Sequence, residues 1–197
     1  MRTSIVHTFL LLCLGLAATG CGTVRVLSPY DQVIDEGLMA YREQVNVLVK
    51  DLADHGGQVD GTFEASKPKW NVLQAKIELL VDRAYLQGGE RACKLPQSLM
   101  QRLLAVAGDD VPPEVKAQSQ QSEGSSEGCT VRLLSLIRSQ LDLLMQIHRD
   151  TDKCPNAEGA PLSCMRPKTA ETALRITNQS INAAWVVETA KKRGEEN

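Results

Sequence analysis

The sequence predicts an all-α protein, an antiparallel helical bundle of four long helices plus one short helix, braced by two disulfides. Three observations carry that expectation. Apolar residues recur at steps of three and four in five separate segments. No window shows the sustained apolar/polar alternation of a half-buried strand. Four cysteines, Cys93, Cys129, Cys154 and Cys164, stand in the body of the chain at positions that helix geometry can sort into pairs.

The first helix opens near Ser28-Pro29, a capping residue followed by the tolerated first-turn proline. Its apolar face is Ile34, Leu38, Tyr41, Val45, Leu48 and Leu52, and Gly56-Gly57 ends it. The second carries Trp70, Leu73, Ile77, Leu80 and Ala84 and stops at Gly88-Gly89. A short third helix over 96–107 uses Leu99, Leu103 and Val106. The fourth, over 130–150, has Leu134, Ile137, Leu141 and Leu144 on one row and Leu133, Leu136, Leu143 and Ile147 on a second. The fifth, over 168–192, is marked by Leu174, Thr177, Ile181 and Ala184. Between the short helix and the fourth, "SQQSEGSSEG" at 119–128 has no apolar side chain to bury, so 109–128 reads as a mobile loop within one domain spanning 29–193, with 194–197 as a tail.

The N-terminus has its own pattern: one charge at Arg2, an apolar core over Phe9 to Ala18, then small residues before Cys21. That is the order of a secretory signal, and its apolar part falls short of the roughly 20 residues of a bilayer span. Ala18-Thr19-Gly20-Cys21 resembles the lipobox of bacterial lipoproteins. The resemblance implies that residues 1–20 are removed, that Cys21 is lipidated, and that 21–28 is an anchor linker. Gly22, in place of an aspartate, implies the outer membrane. Two or more acyl chains hold a protein stably where one does not.

Loss of the signal removes Arg2 alone among the 22 basic and 24 acidic side chains, for a net charge of −3. That balance offers no electrostatic footprint for nucleic acid or for an anionic membrane surface. Cys13 leaves with the signal and Cys21 is spent on lipid, so an even four cysteines remain for structural disulfides in an exported chain. Cys129 and Cys154 flank about 24 residues, roughly 36 Å as helix, against a limit of ~7 Å between bridged Cα atoms. They cannot pair with each other. If the long helices alternate up and down, Cys93 meets Cys129 at one end and Cys154 meets Cys164 at the other.

"PYDQVIDEG" near the first helix and "ETAKKRG" at the end of the last resemble a group of small helical bacterial envelope proteins of unknown function. This similarity implies a helical fold and carries no activity.

The candidate chemistry reduces, motif by motif, to ordinary structure. Gly124 to Gly128 spells G-x-S-x-G around Ser126, but the nucleophile elbow needs a strand before it and a helix after it. Ser66 and Lys69 form S-x-x-K with Pro68 inside it. Asp51 and His55 stand one turn apart without the further ligands that a metal site needs. His148 continues the seam of the fourth helix and reads as a partly buried, hydrogen-bonded residue. Asp150 with Asp152, and Asp54 with Asp60, are too sparse for a calcium loop. "KKRGEEN" reads as a solvated helix end with cations near the negative pole. No catalytic residue, metal or cofactor is expected. The expected function is that of a non-enzymatic outer-membrane lipoprotein acting as a periplasmic structural or protein-interaction module, whose partners are the membrane through its anchor and an envelope protein. The alternative is a helical bundle that binds a small apolar ligand or lipid, using the second row of the fourth helix.

Overall fold

The computed structural model describes residues 29–87 and 128–195, most of which lie in four long helices. Helix α1 is Gln32–Asp54, α2 is Phe63–Gln87, α3 is Cys129–Gln146 and α4 is Pro167–Glu195. Cys21, Cys93, the expected short helix over 96–107 and nearly all of the expected loop over 109–128 lie outside the described residues.

Each helix is built on an inward stripe. On α1 it is Ile34, Leu38, Tyr41, Val45, Leu48 and Leu52, every one buried. Trp70, Leu73, Ile77, Leu80 and Ala84 do the same on α2, and Leu134, Ile137, Leu141 and Leu144 on α3. Leu174, Ile181 and Ala184 complete the set from α4. These residues form one shared core. Helix α1 packs on α2 and α4, and α3 packs on the same two. Neighbours run in opposite directions: Asp31 and Asp51 of the α1 segment meet Arg83 and Lys69 of α2, while Arg42 and Asn46 meet Asn182 and Asn178 of α4.

The second row on α3 divides. Leu133 belongs to the core, while Leu136, Leu143 and Ile147 are half-buried.

Two helix starts differ from expectation. The cap of α1 is Asp31 and not Ser28: its carboxylate accepts from Val33 N at 2.7 Å and Ile34 N at 3.3 Å. A carboxylate satisfies two orphan amides and complements the positive pole of the helix, so it outcompetes the hydroxyl and proline upstream. Helix α2 begins at Phe63, about two turns before Trp70, and contains Pro68. Pro68 and Glu64, whose carbonyl loses its usual donor, are both exposed, so water can replace the missing bond.

The expectation of no strand is also corrected. After α3 the chain makes a π-helical turn, Ile147–Thr151, then a two-stranded antiparallel ribbon of β1, Lys153–Pro155, and β2, Pro161–Ser163. Three residues per strand are too few to display a period of two. Asn156 closes the ribbon by accepting from Glu158 N and Ala160 N, and the Cys154–Cys164 disulfide staples it. Gly57, in the α1–α2 connection, has φ of 86° and sits so close to Pro155 that a Cβ would lie 2.6 Å from the Pro155 carbonyl oxygen. Glycine is needed there on both counts.

Candidate functional site

Where the starts of α1 and α3 meet the ends of α2 and α4, the inward stripes turn polar. The rhythm of α4 through Ala170, Leu174, Thr177, Ile181 and Ala184 continues to Glu188 and Lys191, and both are buried. The expectation of "KKRGEEN" as a solvated helix end is corrected at Lys191. Only Lys192 and Arg193 of the basic run face outward.

The Glu188 carboxylate is shared by three donors on three elements. Lys191 Nζ and Thr130 Oγ1, from the first turn of α3, reach Oε1, and Asp31 N approaches Oε2 at 3.4 Å. Lys191 Nζ also lies 2.6 Å from Thr130 Oγ1. Asp31, besides capping α1, takes Arg83 Nε of α2 at 2.6 Å. Five side chains and the Asp31 amide therefore tie four helix ends through charge-assisted bonds, which are the stronger class of hydrogen bond. At the rim, the Tyr30 hydroxyl donates to Asp35 Oδ2 at 2.8 Å, and that bond pushes its pKa up to about 12. Lys192 Nζ lies 5.5 Å from the centre of the Tyr30 ring. A signal for this cluster was present in the sequence: opposite charges at i and i+3 that stay in phase with an apolar stripe.

The opposite end is organised around His148. It is fully buried, in phase with Leu141 and Leu144, between α2 and the α1–α2 connection. Trp70 Nε1 can only donate, so at 3.1 Å it fixes His148 Nδ1 as an acceptor. The ring proton is then on Nε2, which donates to the Gly61 carbonyl at 3.0 Å. Gly61 can approach because it has no side chain: a Cβ would sit 2.1 Å from the His55 carbonyl oxygen. Phe63 meets the His148 ring edge-on, with centroids 5.7 Å apart. Burial is the main cause that holds the His148 pKa below its usual value, partly opposed by the Gly61 bond. Expected to be partly buried, His148 is wholly enclosed and locked as one neutral tautomer.

The other sequence candidates are spent on local structure. Ser66 Oγ donates to the Thr62 and Phe63 carbonyls, while Lys69 turns away to pair with Asp51 at 2.8 Å. Ser66 and Lys69 therefore form no reactive pair. His55 bonds the Asp51 carbonyl at 2.8 Å, which is the main cause that raises its pKa, with Asp60 and Asp51 nearby. Asp150 is held by Arg149. Asp152 is buried and receives the Arg166 backbone and Nε, fastening the ribbon to the start of α4. No three of the described His, Cys, Asp and Glu residues form a group that could hold a metal. Cys154 and Cys164 are joined, with Cα atoms 5.8 Å apart. Cys129 is disulfide-bonded, and Cys93 and Ser126 lie outside the described residues.

No protein-family model, curated protein or solved structure matches the chain. Its physical description stands on its own residues. Among the described helices none is long and apolar enough to cross a membrane. Three buried side-chain atoms lack a partner among the described residues: Tyr41 Oη, Gln140 Oε1 and Gln179 Oε1. Burial, with a smaller contribution from the Asp142 charge, drives the Tyr41 pKa upward, so its hydroxyl stays neutral.

Proposed function

We infer that this chain is a bacterial lipoprotein held at the periplasmic face of the outer membrane through Cys21, and that its helical domain is a non-enzymatic structural or protein-interaction module. The observation that carries the reading is Ala18-Thr19-Gly20-Cys21 directly after a short apolar core. What supports a module over a catalyst is how the buried charges are used. Glu188, Lys191 and Asp31 answer one another, and His148 is engaged on both ring nitrogens. The apolar-ligand alternative has less beneath it. Leu133 is already in the core, and only Leu136, Leu143 and Ile147 of that row keep partial exposure.

Cys21→Ser tests the anchor. The variant is expected to accumulate as an unprocessed or soluble form, read by fractionation and by the mass of the N-terminal peptide. Normal maturation and membrane retention of Cys21→Ser would sink the lipoprotein reading.

The same reading includes a bundle braced at both ends, with Cys93 as the partner of Cys129. Cys129 opens α3 at the end where α2 finishes, and Cys93 follows Gln87 by six residues in sequence, which supports the pairing. Peptide mapping without reductant is expected to yield a Cys93–Cys129 peptide beside Cys154–Cys164. A peptide joining Cys129 to any other cysteine overturns that brace.

A further inference from the structure

Exposed large hydrophobic side chains cluster at the end where α1 starts. Val33 lies in the first turn of α1, Leu86 in the last turn of α2, and Trp185 and Val186 stand within one turn of Glu188 on α4. The contacts of Asp31 with Arg83 and Glu188 set a common level, and each of these residues lies within about one turn of it, Leu86 outward and Val33, Trp185 and Val186 inward. Leu86 is 90% exposed and Trp185 38%. They stand on α1, α2 and α4, three of the four helices around the core, and form a collar around one end that is open at α3. Among the described residues the opposite end carries Val59, with Val47 and Val72 within about a turn of the Asp51–Lys69 contact, while Met39 and Leu79 lie along the sides.

We propose that this collar is the seat of the domain on a phospholipid surface, the bilayer into which Cys21 would be anchored; the proposal rests on the lipoprotein reading above. Tether length argues for that occupant. Seven residues, 22–28, separate Cys21 from Pro29, so the two lie at most about 29 Å apart in extended chain. Helix α1 alone, at 23 residues, is roughly 35 Å long, so the far end of the domain cannot face the bilayer while Cys21 is in it. The residue types fit as well. Tryptophan favours the level of the headgroups, and leucine and valine gain by leaving water. Lys192, exposed in the last turns of α4, holds its ammonium beside the Tyr30 ring at this end. The polar tie of Asp31, Arg83, Thr130, Glu188 and Lys191 holds the ends that carry the collar. So few side chains bind a bilayer weakly when free, and the anchor makes the contact intramolecular at high effective concentration.

The test uses the chain from Cys21 onward with its later cysteines oxidised, coupled through the Cys21 thiol to a maleimide lipid in phosphatidylethanolamine–phosphatidylglycerol vesicles. Trp70 is fully buried, so a difference from the Trp185→Phe chain isolates the emission of Trp185. On vesicles, Trp185 is expected to shift to shorter wavelength, to lose emission to brominated lipid, and to become less accessible to acrylamide. Leu86→Glu with Val186→Glu, both on the surface, is expected to reverse these changes while helicity stays intact. Trp185 emission unaffected by brominated lipid on the tethered chain overturns the proposal. So does concentration-dependent protection of Trp185 without vesicles, which would make the collar an interface between copies. Chemical coupling separates this outcome from that of Cys21→Ser, since it seats the chain whether or not a cell acylates Cys21.

Discussion

Replacing Glu188 with Ala is expected to lower the unfolding free energy by about 3–5 kcal/mol, the usual result of stripping one partner from a buried pair. Lys191 would then keep its charge beside Thr130 with no carboxylate, and the Asp31 amide would lose its acceptor. The companion variant decides the cause. Glu188→Leu combined with Lys191→Met removes both charges while filling similar volume, and such replacements are often neutral or stabilising. Urea midpoints at constant slope supply the comparison. A loss below about 1 kcal/mol for Glu188→Ala would mean that the pair behaves as a solvated surface bridge. The polar tie would then hold nothing together.

Trp70→Ala is expected to cost about 3–5 kcal/mol through the cavity left by a fully buried indole. It also deprives His148 Nδ1 of its donor. The pH dependence follows from the same contact. His148 has a lowered pKa in the folded protein, so near and below its ordinary value of about 6.5 the unfolded chain binds the proton first. Stability is therefore fully present above that pH and falls on acidification towards the lowered folded value. His55 works in the other direction: its pKa is raised, so its contribution is complete below the ordinary value and is lost as pH rises through the folded one. Unfolding curves at pH 7 and 5.5 in a His55→Asn background are expected to show lower stability at the acidic point. Adding His148→Gln should flatten that difference. An unchanged slope with His148→Gln would assign the acid sensitivity elsewhere.

Much of the fold was legible because the amphipathic period is a local property. Ile34 to Leu52, Trp70 to Ala84 and Leu134 to Leu144 announce their buried faces without any partner being known. The cap of α1 was misplaced because Ser28-Pro29 and Asp31 are both chemically acceptable starts. The choice depends on which side chain also meets Arg83 across the helix pair. The ribbon was illegible because three-residue strands have no period, and it forms where a disulfide, the Asn156 turn and the Asp152–Arg166 contact converge.

The site was harder to read than the fold. His148 could be expected to carry hydrogen bonds, but not which ones, since Trp70 and Gly61 are 78 and 87 residues away in sequence. Lys191, within "KKRGEEN", reads as solvated because charge overrides phase when a helix is read in isolation. A charged pair becomes tolerable inside only when other segments supply its partners, here Thr130 and the amide of Asp31.

By itself the sequence determined the four described long helices and their inward stripes, patterns that short stretches of chain carry whole. Only the tertiary structure decided which polar groups are buried and which helix ends share them, and that the exposed Leu86 and Trp185 stand within about a turn of the level of Asp31. Those properties belong to pairs of distant residues, and their energies exist only once the core has brought the helices together.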